Sequence, residues 1–280
     1  MGPPAALSPA PALLPVAMTV AGSDSGGGAG IQADLACFLA LGVHGVSAVT
    51  AVTSQNPRGI SGIHEVAAAF VGEQIRHVCA DVVVAAAKTG MLASASTIRE
   101  VAAAVGSCRL HQLVVDPVLV STSGTRLLAV EARAALLAEL FPLARVVTPN
   151  LDEAAALAGR EVRDPGQMRE AARILHGLGA EWVLVKGGHL ETKPVDVLYD
   201  GTSFLEFEGE RIGPSGSKAG PPVHGTGCVL SAAITAHLAR GASVPDAVRM
   251  ARDHVTGAIR HARHVGSGAC AEPAWNVYRR

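Results

Sequence analysis

The chain has 280 residues, 49% hydrophobic and 17% charged, enough to bury the core of one large α/β domain or two small ones. A formal net charge of -1 and an aromatic content of 3% argue against a nucleic-acid surface and against an anionic membrane as partner. No apolar run approaches the ~18–20 residues that cross a bilayer.

The five cysteines are widely spaced and form no C-x-x-C pair, so neither a zinc site nor a disulfide framework is indicated. That usage fits a reduced, cytoplasmic setting. Residues 1–15 are rich in Pro and Ala and contain no Lys or Arg. They lack the positive start of a signal peptide and read as a disordered extension. One domain is then expected over 16–280.

In chain order, Val16 to Ala21 reads as a strand running into Gly22-Ser23-Asp24-Ser25-Gly26-Gly27-Gly28-Ala29-Gly30. A helix follows, with Ile31, Leu35, Phe38 and Leu39 on one face. Gly45 to Val52 is the next strand, and residues 53–59 read as a polar loop. Ala67 to Cys79 is a helix, Val82 to Lys88 a strand, and Ser94 to Val105 a helix capped by Ser94. Leu113 to Asp116 is a strand, Val130 to Leu140 a helix, and Arg145 to Thr148 a strand. Helices follow over Leu151 to Ala158 and Gly166 to Leu178. Trp182 to Lys186 is a strand, and Val195 to Tyr199 with Ser203 to Phe207 form a hairpin. A glycine-opened helix runs from Gly225 to about Arg240, and a last helix from about Pro245 to His264. Strands alternating with helices predict a mostly parallel, doubly wound sheet with helices on both faces. Ligands of such folds bind at the carboxyl ends of strands. Asp24, Gln55, Lys88, Asp116, Asn150 and Lys186 all follow strands.

The chemistry concentrates at His224-Gly225-Thr226-Gly227-Cys228. The first N–H groups of a helix have no intrahelical partner and point outward at its positive end, so an anion fits there. A cysteine in that first turn is favoured as thiolate. A phosphate beside a potential base suits phosphoryl transfer. The competing reading is a glycine loop before a core helix with an inert cysteine. Gly28 to Ala33 fits G-x-G-x-x-A, but no acidic residue stands ~20 positions on, so a dinucleotide fold is weakly supported. No Walker A lysine and no G-x-S-x-G elbow occur.

Other polar positions each have a plain alternative. Asp34 and Gln32 flank an apolar helix stripe, where a solvated edge is expected. Gln55 ends a strand, as a turn residue or as an amide that reads a heterocycle edge. Asn150 and Glu153 form a capping box or arrange water and Mg2+ around phosphates. Lys186 is a strand-end lysine or a point charge on phosphate. His254, His261 and His264 share a helix face, read as solvated rather than metal-binding.

Taken together, these motifs resemble the hydroxymethylpyrimidine/phosphomethylpyrimidine kinase family of the ribokinase-like superfamily, which serves thiamine biosynthesis. The resemblance rests on the stretch from Ala21 to Asp34, on Thr50-Ala51-Val52-Thr53-Ser54-Gln55-Asn56, and on Lys88-Thr89-Gly90-Met91-Leu92. It continues through Val114 to Val118, Thr148 to Ala154, Val185 to His189, and His224 to Cys228, in the family's order over about residues 16 to 265. It implies an α/β ribokinase-like fold and ATP-dependent phosphorylation of a hydroxymethylpyrimidine and then of its monophosphate.

By the same resemblance Gly22, Asp34, Gln55 and Met91 line the pyrimidine pocket. Gly225, Thr226, Gly227 and Cys228 form the anion hole and base. Lys186, Asn150 and Asp116 serve ATP, and Glu153 serves Mg2+ through water. A homodimer is implied as well. The chain departs from the family pattern at Pro222-Val223, at Val229 and near Thr122. A pyridoxal kinase and a non-catalytic pyrimidine-binding module are the rival readings.

Overall fold

The computed structural model describes residues 14–121, 124–188, 190, 193–212 and 223–277. Most of the expected N-terminal extension, and also Thr122, His189 and Pro222, lie outside the described residues.

The elements in order are β1 (Val16–Asp24), α1 (Gly30–Ala40), β2 (His44–Asn56), β3 (Gly59–Glu65), α2 (Ala68–Cys79), β4 (Ala86–Thr89), α3 (Ala95–Ser107) and β5 (Leu113–Val115). Then come α4 (Ala132–Ala135), a π turn over Leu136–Leu140, β6 (Val146–Val147), α5 (Leu151–Ala158), α6 (Pro165–His176) and β7 (Val183–Val185). The chain continues with β8 (Val195–Tyr199), β9 (Phe204–Glu208), β10 (Val223–His224), α7 (Thr226–Ala239), α8 (Val244–Arg260), β11 (Arg263–Val265) and β12 (Gly268–Cys270).

The main sheet has the order β3-β2-β1-β4-β5-β6-β7-β8-β9. Its six central strands are parallel, and antiparallel partners close both edges. Alternation along the strands sorts side chains onto two faces. Met18, Val20, Ala87, Leu113, Val115, Val147, Val183 and Val185 pack toward α2, α3, α5 and α6. Ala17, Ala86, Val114, Val146, Leu184 and Leu198 pack toward α1, α7 and α8. In α7 every residue from Val229 to Leu238 is buried, which explains its near-uniform apolar sequence. The direction of chain progression reverses between β1 and β4, where an open α/β sheet forms its crevice.

Several boundaries differ from the sequence expectation. The run from Val82 enters the sheet only at Ala86, opposite Ala17; Val83 is 89% exposed before it. Residues 53–56 are no loop. They extend β2 and pair back with β3, closed by the Asn56 side chain accepting from the Arg58 N–H at 2.9 Å. The helix expected over Val130 to Leu140 begins at Ala132 and widens into the π turn. The last helix stops at Arg260, so His264 lies in β11 and the three histidines share no helix face. His254 is buried and bonds the Pro273 carbonyl, and His261 stacks on Trp275. No described helix is long and apolar enough to cross a membrane.

Candidate active site

A cleft of about 950 Å³ opens along the carboxyl edge of the sheet. Every site residue expected from the sequence lines it. Gly22, Asp34, Gln55 and Met91 stand at one end, Gly225 to Cys228 in the middle, and Asp116, Asn150, Glu153 and Lys186 beyond them.

The middle is built by close backbone approach. Gly225 caps α7 in the left-handed region, φ 85, and a Cβ there would lie 2.0 Å from the Gly28 carbonyl oxygen. Gly30 opens α1 at φ 58, where a Cβ would meet the Gly22 oxygen at 2.3 Å. Glycine alone fits both places. A Cβ on Gly227 would lie 3.6 Å from Lys186 Nζ, so an ammonium faces the free N–H groups of the helix start.

The glycine loop is folded around Asp24. Its carboxylate accepts from the N–H groups of Gly26 at 2.8 Å, Gly28 at 3.1 Å and Ala29 at 2.9 Å. Burial opposes its ionisation, but His224 and these amides outweigh burial and hold its pKa below the ordinary carboxylate value.

Two cations flank the thiol, Lys88 buried and Lys186 half-buried. Lys88 is fully buried and donates to Asp34 Oδ1 at 2.7 Å, while Thr19 donates to Asp34 Oδ2 at 2.6 Å. Burial disfavours the Lys88 charge, but Asp34, with Cys228 and Asp116, pushes its pKa above the ordinary lysine value. Asp34 is therefore an interior ion-pair partner, against the solvated helix flank expected for it. Lys186 donates to Asp116 Oδ1 at 2.9 Å. Asp116 also accepts from Thr148 at 3.2 Å and from Ser231 at 3.0 Å, which ties β5 to α7. Burial opposes the Lys186 charge, and Asp116 with Glu153 restores it and raises its pKa. The turn after Lys186 is anchored by Asp196, which accepts from the Gly187 N–H at 2.8 Å and pairs with Arg252 at 2.8 Å.

Cys228 departs from expectation. Burial pushes its thiol up to about 11, beyond what Lys88 and the Gly30 N–H gain for the thiolate, and Asp34 and Asp116 add to the rise. The helix start does not by itself make a low-pKa cysteine here, because desolvation and two nearby carboxylates outweigh it.

Asn150 and Glu153 form the capping box. The Asn150 side chain accepts from the Glu153 N–H, and Glu153 from the Asn150 N–H, both at 2.8 Å. Burial lifts the Glu153 carboxyl to about 7, opposed by Lys186 and aided by Asp116. The capping reading holds, and the same two residues also line the cleft.

Sequence reasoning assigned no role to Lys88, Asp24 or His224. A lysine inside an otherwise apolar strand was the available signal for Lys88. His224 and Asp24 are separated by 200 positions and meet only in the fold, at 3.7 Å.

A helix N-terminus faced by an ammonium, over a sheet edge that holds two charged clusters, is the arrangement a kinase needs to receive a phosphoryl group, and the comparisons with known proteins place the chain in that class. The model of the phosphomethylpyrimidine kinase family matches residues 24–272. The hydroxymethylpyrimidine/phosphomethylpyrimidine kinase of Mycobacterium tuberculosis is 49% identical over 257 residues, 91% of each chain. The thiamine biosynthesis bifunctional protein ThiED of Geobacter sulfurreducens is 48% identical over 252 residues, 90% of this chain. The chain spans 50% of that relative's length. The ADP complex of Bacillus subtilis pyridoxal kinase superposes with a TM-score of 0.83 at 36% identity, covering 93% of this chain and 97% of that one. The chain belongs to the phosphomethylpyrimidine kinase family, and so is a kinase.

Proposed function

We propose that this protein is an ATP-dependent kinase of 4-amino-5-hydroxymethyl-2-methylpyrimidine that then phosphorylates the monophosphate to the diphosphate, in thiamine biosynthesis. The observation that carries the proposal is the order of groups along one cleft. An end lined by Gly22, Gln55 and Met91 is followed by the α7 start with Cys228, then by Lys186, Asp116 and the α5 start.

In this reading the pyrimidine lies against Gly22 and Met91, and Gln55 pairs with its edge. Asp34 closes the pocket floor with Lys88. The α7 start at Gly225, Thr226 and Gly227, with Lys186, receives the transferring phosphoryl group and offsets its charge. The alcohol oxygen attacks the γ-phosphorus in line. The bond to the bridging oxygen breaks, and ADP leaves. The alcohol proton passes to Cys228 in its thiolate form, whose negative charge Lys88 and the Gly30 N–H offset before the transfer. Asn150 and Asp116 shape the ATP side.

Mg2+ belongs to the same proposal, and the donor set fits it only through water. Glu153 and Asp116 already accept bonds from protein groups, and no described cluster of His, Cys, Asp and Glu would cage a metal. Mg2+ keeps waters and takes few carboxylates. When bound it neutralises phosphate charge. A single kinase domain over 16–280, a homodimer and a cytoplasmic location complete the proposal; light scattering tests the dimer.

The likeness to a pyridoxal kinase favours one second reading, in which pyridoxal is an acceptor. A coupled ADP-release assay with ATP, Mg2+ and each acceptor separates them. Two ADP per hydroxymethylpyrimidine is expected. ADP from pyridoxal alone would replace the first reading by the second. No ADP from any acceptor, with binding still detected by calorimetry, would overturn both and return the non-catalytic module.

A further inference from the structure

Gln55 ends β2 at the mouth of the cleft, and its amide is held from both sides. Its Oε1 faces Thr53 Oγ1 at 3.2 Å, and its Nε2 faces His224 Nε2 at 3.3 Å. An amide has four hydrogen-bonding valences, two on oxygen and two on nitrogen. The sideways pair points to Thr53 and His224. The forward pair, one N–H beside one carbonyl lone pair, is left for a ligand.

Oxygen and nitrogen of an amide are nearly isosteric, so the network decides which end faces which neighbour. Thr53 has one hydroxyl proton, and the Ser23 carbonyl oxygen lies 3.0 Å from Oγ1. If that proton serves Ser23, Thr53 can only accept from Gln55. On the other side His224 Nε2 faces Asp24 Oδ2 at 3.7 Å. Asp24 is ionised, bonded to three loop amides, so a proton on Nε2 is favoured over a lone pair there. Both arguments favour the amide turned over from that assignment, with its oxygen toward the histidine N–H and its NH2 toward the threonine oxygen. No bonding group is then left in conflict.

We propose that His224 is a positioning residue that fixes the orientation of the Gln55 amide and thereby the donor–acceptor edge the pocket recognises. The inference rests on Gln55 reading the substrate ring. A 4-aminopyrimidine carries a ring nitrogen acceptor beside an amine donor, which is complementary to the forward edge of an amide. A turned amide would set donor against donor and acceptor against acceptor. Pyridoxal has no such amine, so His224 bears on discrimination between the two acceptors.

The test is steady-state kinetics on His224→Leu and His224→Gln, alone and with Gln55→Ala. His224→Leu removes the donor. The KM for the hydroxymethylpyrimidine is expected to rise about 3- to 10-fold, the loss of one ordinary hydrogen bond. Its kcat and the KM for ATP are expected to change less than about 2-fold. His224→Gln can place an N–H near the Nε2 position and is expected to restore most of the KM. In the Gln55→Ala background His224→Leu is expected to add nothing, because a coupled pair is not additive. Thr53→Val probes the same amide from its other end without touching the α7 start, and should reproduce the KM effect if His224→Leu fails to fold. Equal KM increases with and without Gln55 would overturn the positioning role while leaving Gln55 its own. If Gln55→Ala leaves the KM unchanged, the reading of Gln55 falls and the inference falls with it.

Discussion

Lys88→Met tests the electrostatic core of the site. The substitution keeps an unbranched side chain of similar length and removes only the charge. Asp34 is then left in a fully buried place with Thr19 as its remaining hydrogen-bond donor. Stranding one member of a buried ion pair costs about 3–5 kcal/mol. That is a large part of the roughly 5–15 kcal/mol that holds a domain folded. At roughly 2–4 °C per kcal/mol for a chain near this size, the melting temperature should fall by roughly 6–20 °C.

The deficit should shrink as pH falls. Without its lysine the buried Asp34 carboxyl has a folded pKa raised above its unfolded value. Its destabilisation is therefore present at neutral pH and relieved as the carboxyl protonates. The double variant Lys88→Met/Asp34→Leu removes both charges and should recover most of the loss, because an apolar pair of similar volume is often no worse than a buried ion pair. Urea and thermal unfolding followed by circular dichroism measure all three proteins. A single variant that loses less than about 1 kcal/mol, or a double variant less stable than either single, would refute the reasoning.

Gly225→Ala forces a Cβ against the Gly28 oxygen at a left-handed φ, adding about 1–2 kcal/mol of backbone strain and displacing the anion hole. Turnover should drop by about 10²-fold while the far-ultraviolet spectrum is kept, since a small misplacement costs that much in rate. Cys228→Ala should cost about 10²–10⁴-fold in kcat with the fold intact. With the thiol near 11, the wild-type rate should climb through neutral pH and the variant's should not; full turnover by the variant would remove Cys228 as base. For Glu153 the folded pKa of about 7 lies above the unfolded 4.5, so the protonated form favours the fold. That contribution is complete below about 4.5 and is lost as pH rises to about 7, on the order of 3 kcal/mol. Glu153→Gln keeps the cap and should flatten this slope in unfolding measured from pH 5 to 8; an unchanged slope would assign the pH dependence to other groups.

Much of the fold was legible in one dimension because its signals are local. Short β-rich runs followed by periodic helices specify a parallel sheet, and Ser94, Asn150 and Gly225 sit where helix ends need them. The motifs at the strand ends marked the cleft for the same reason: a parallel sheet brings all its carboxyl ends to one edge. The errors fell where local preference is ambiguous. Val82, Val83 and Val84 read as strand, and only register against β1 keeps them out of the sheet. Residues 53–56 read as a loop, and only pairing with β3 makes them strand.

The character of each site residue belongs to tertiary structure, because it depends on neighbours far along the chain. Asp34 is an ion-pair partner because β4 brings Lys88 beside α1. Cys228 is a high-pKa thiol because α7 is buried against the sheet with two carboxylates near. His224 meets Asp24 and Gln55 because β10, just before α7, returns to the mouth of β1 and β2. Residue types and their order determined which groups reach the cleft. Burial and long-range pairing decided their charge, their partners and the direction each one faces.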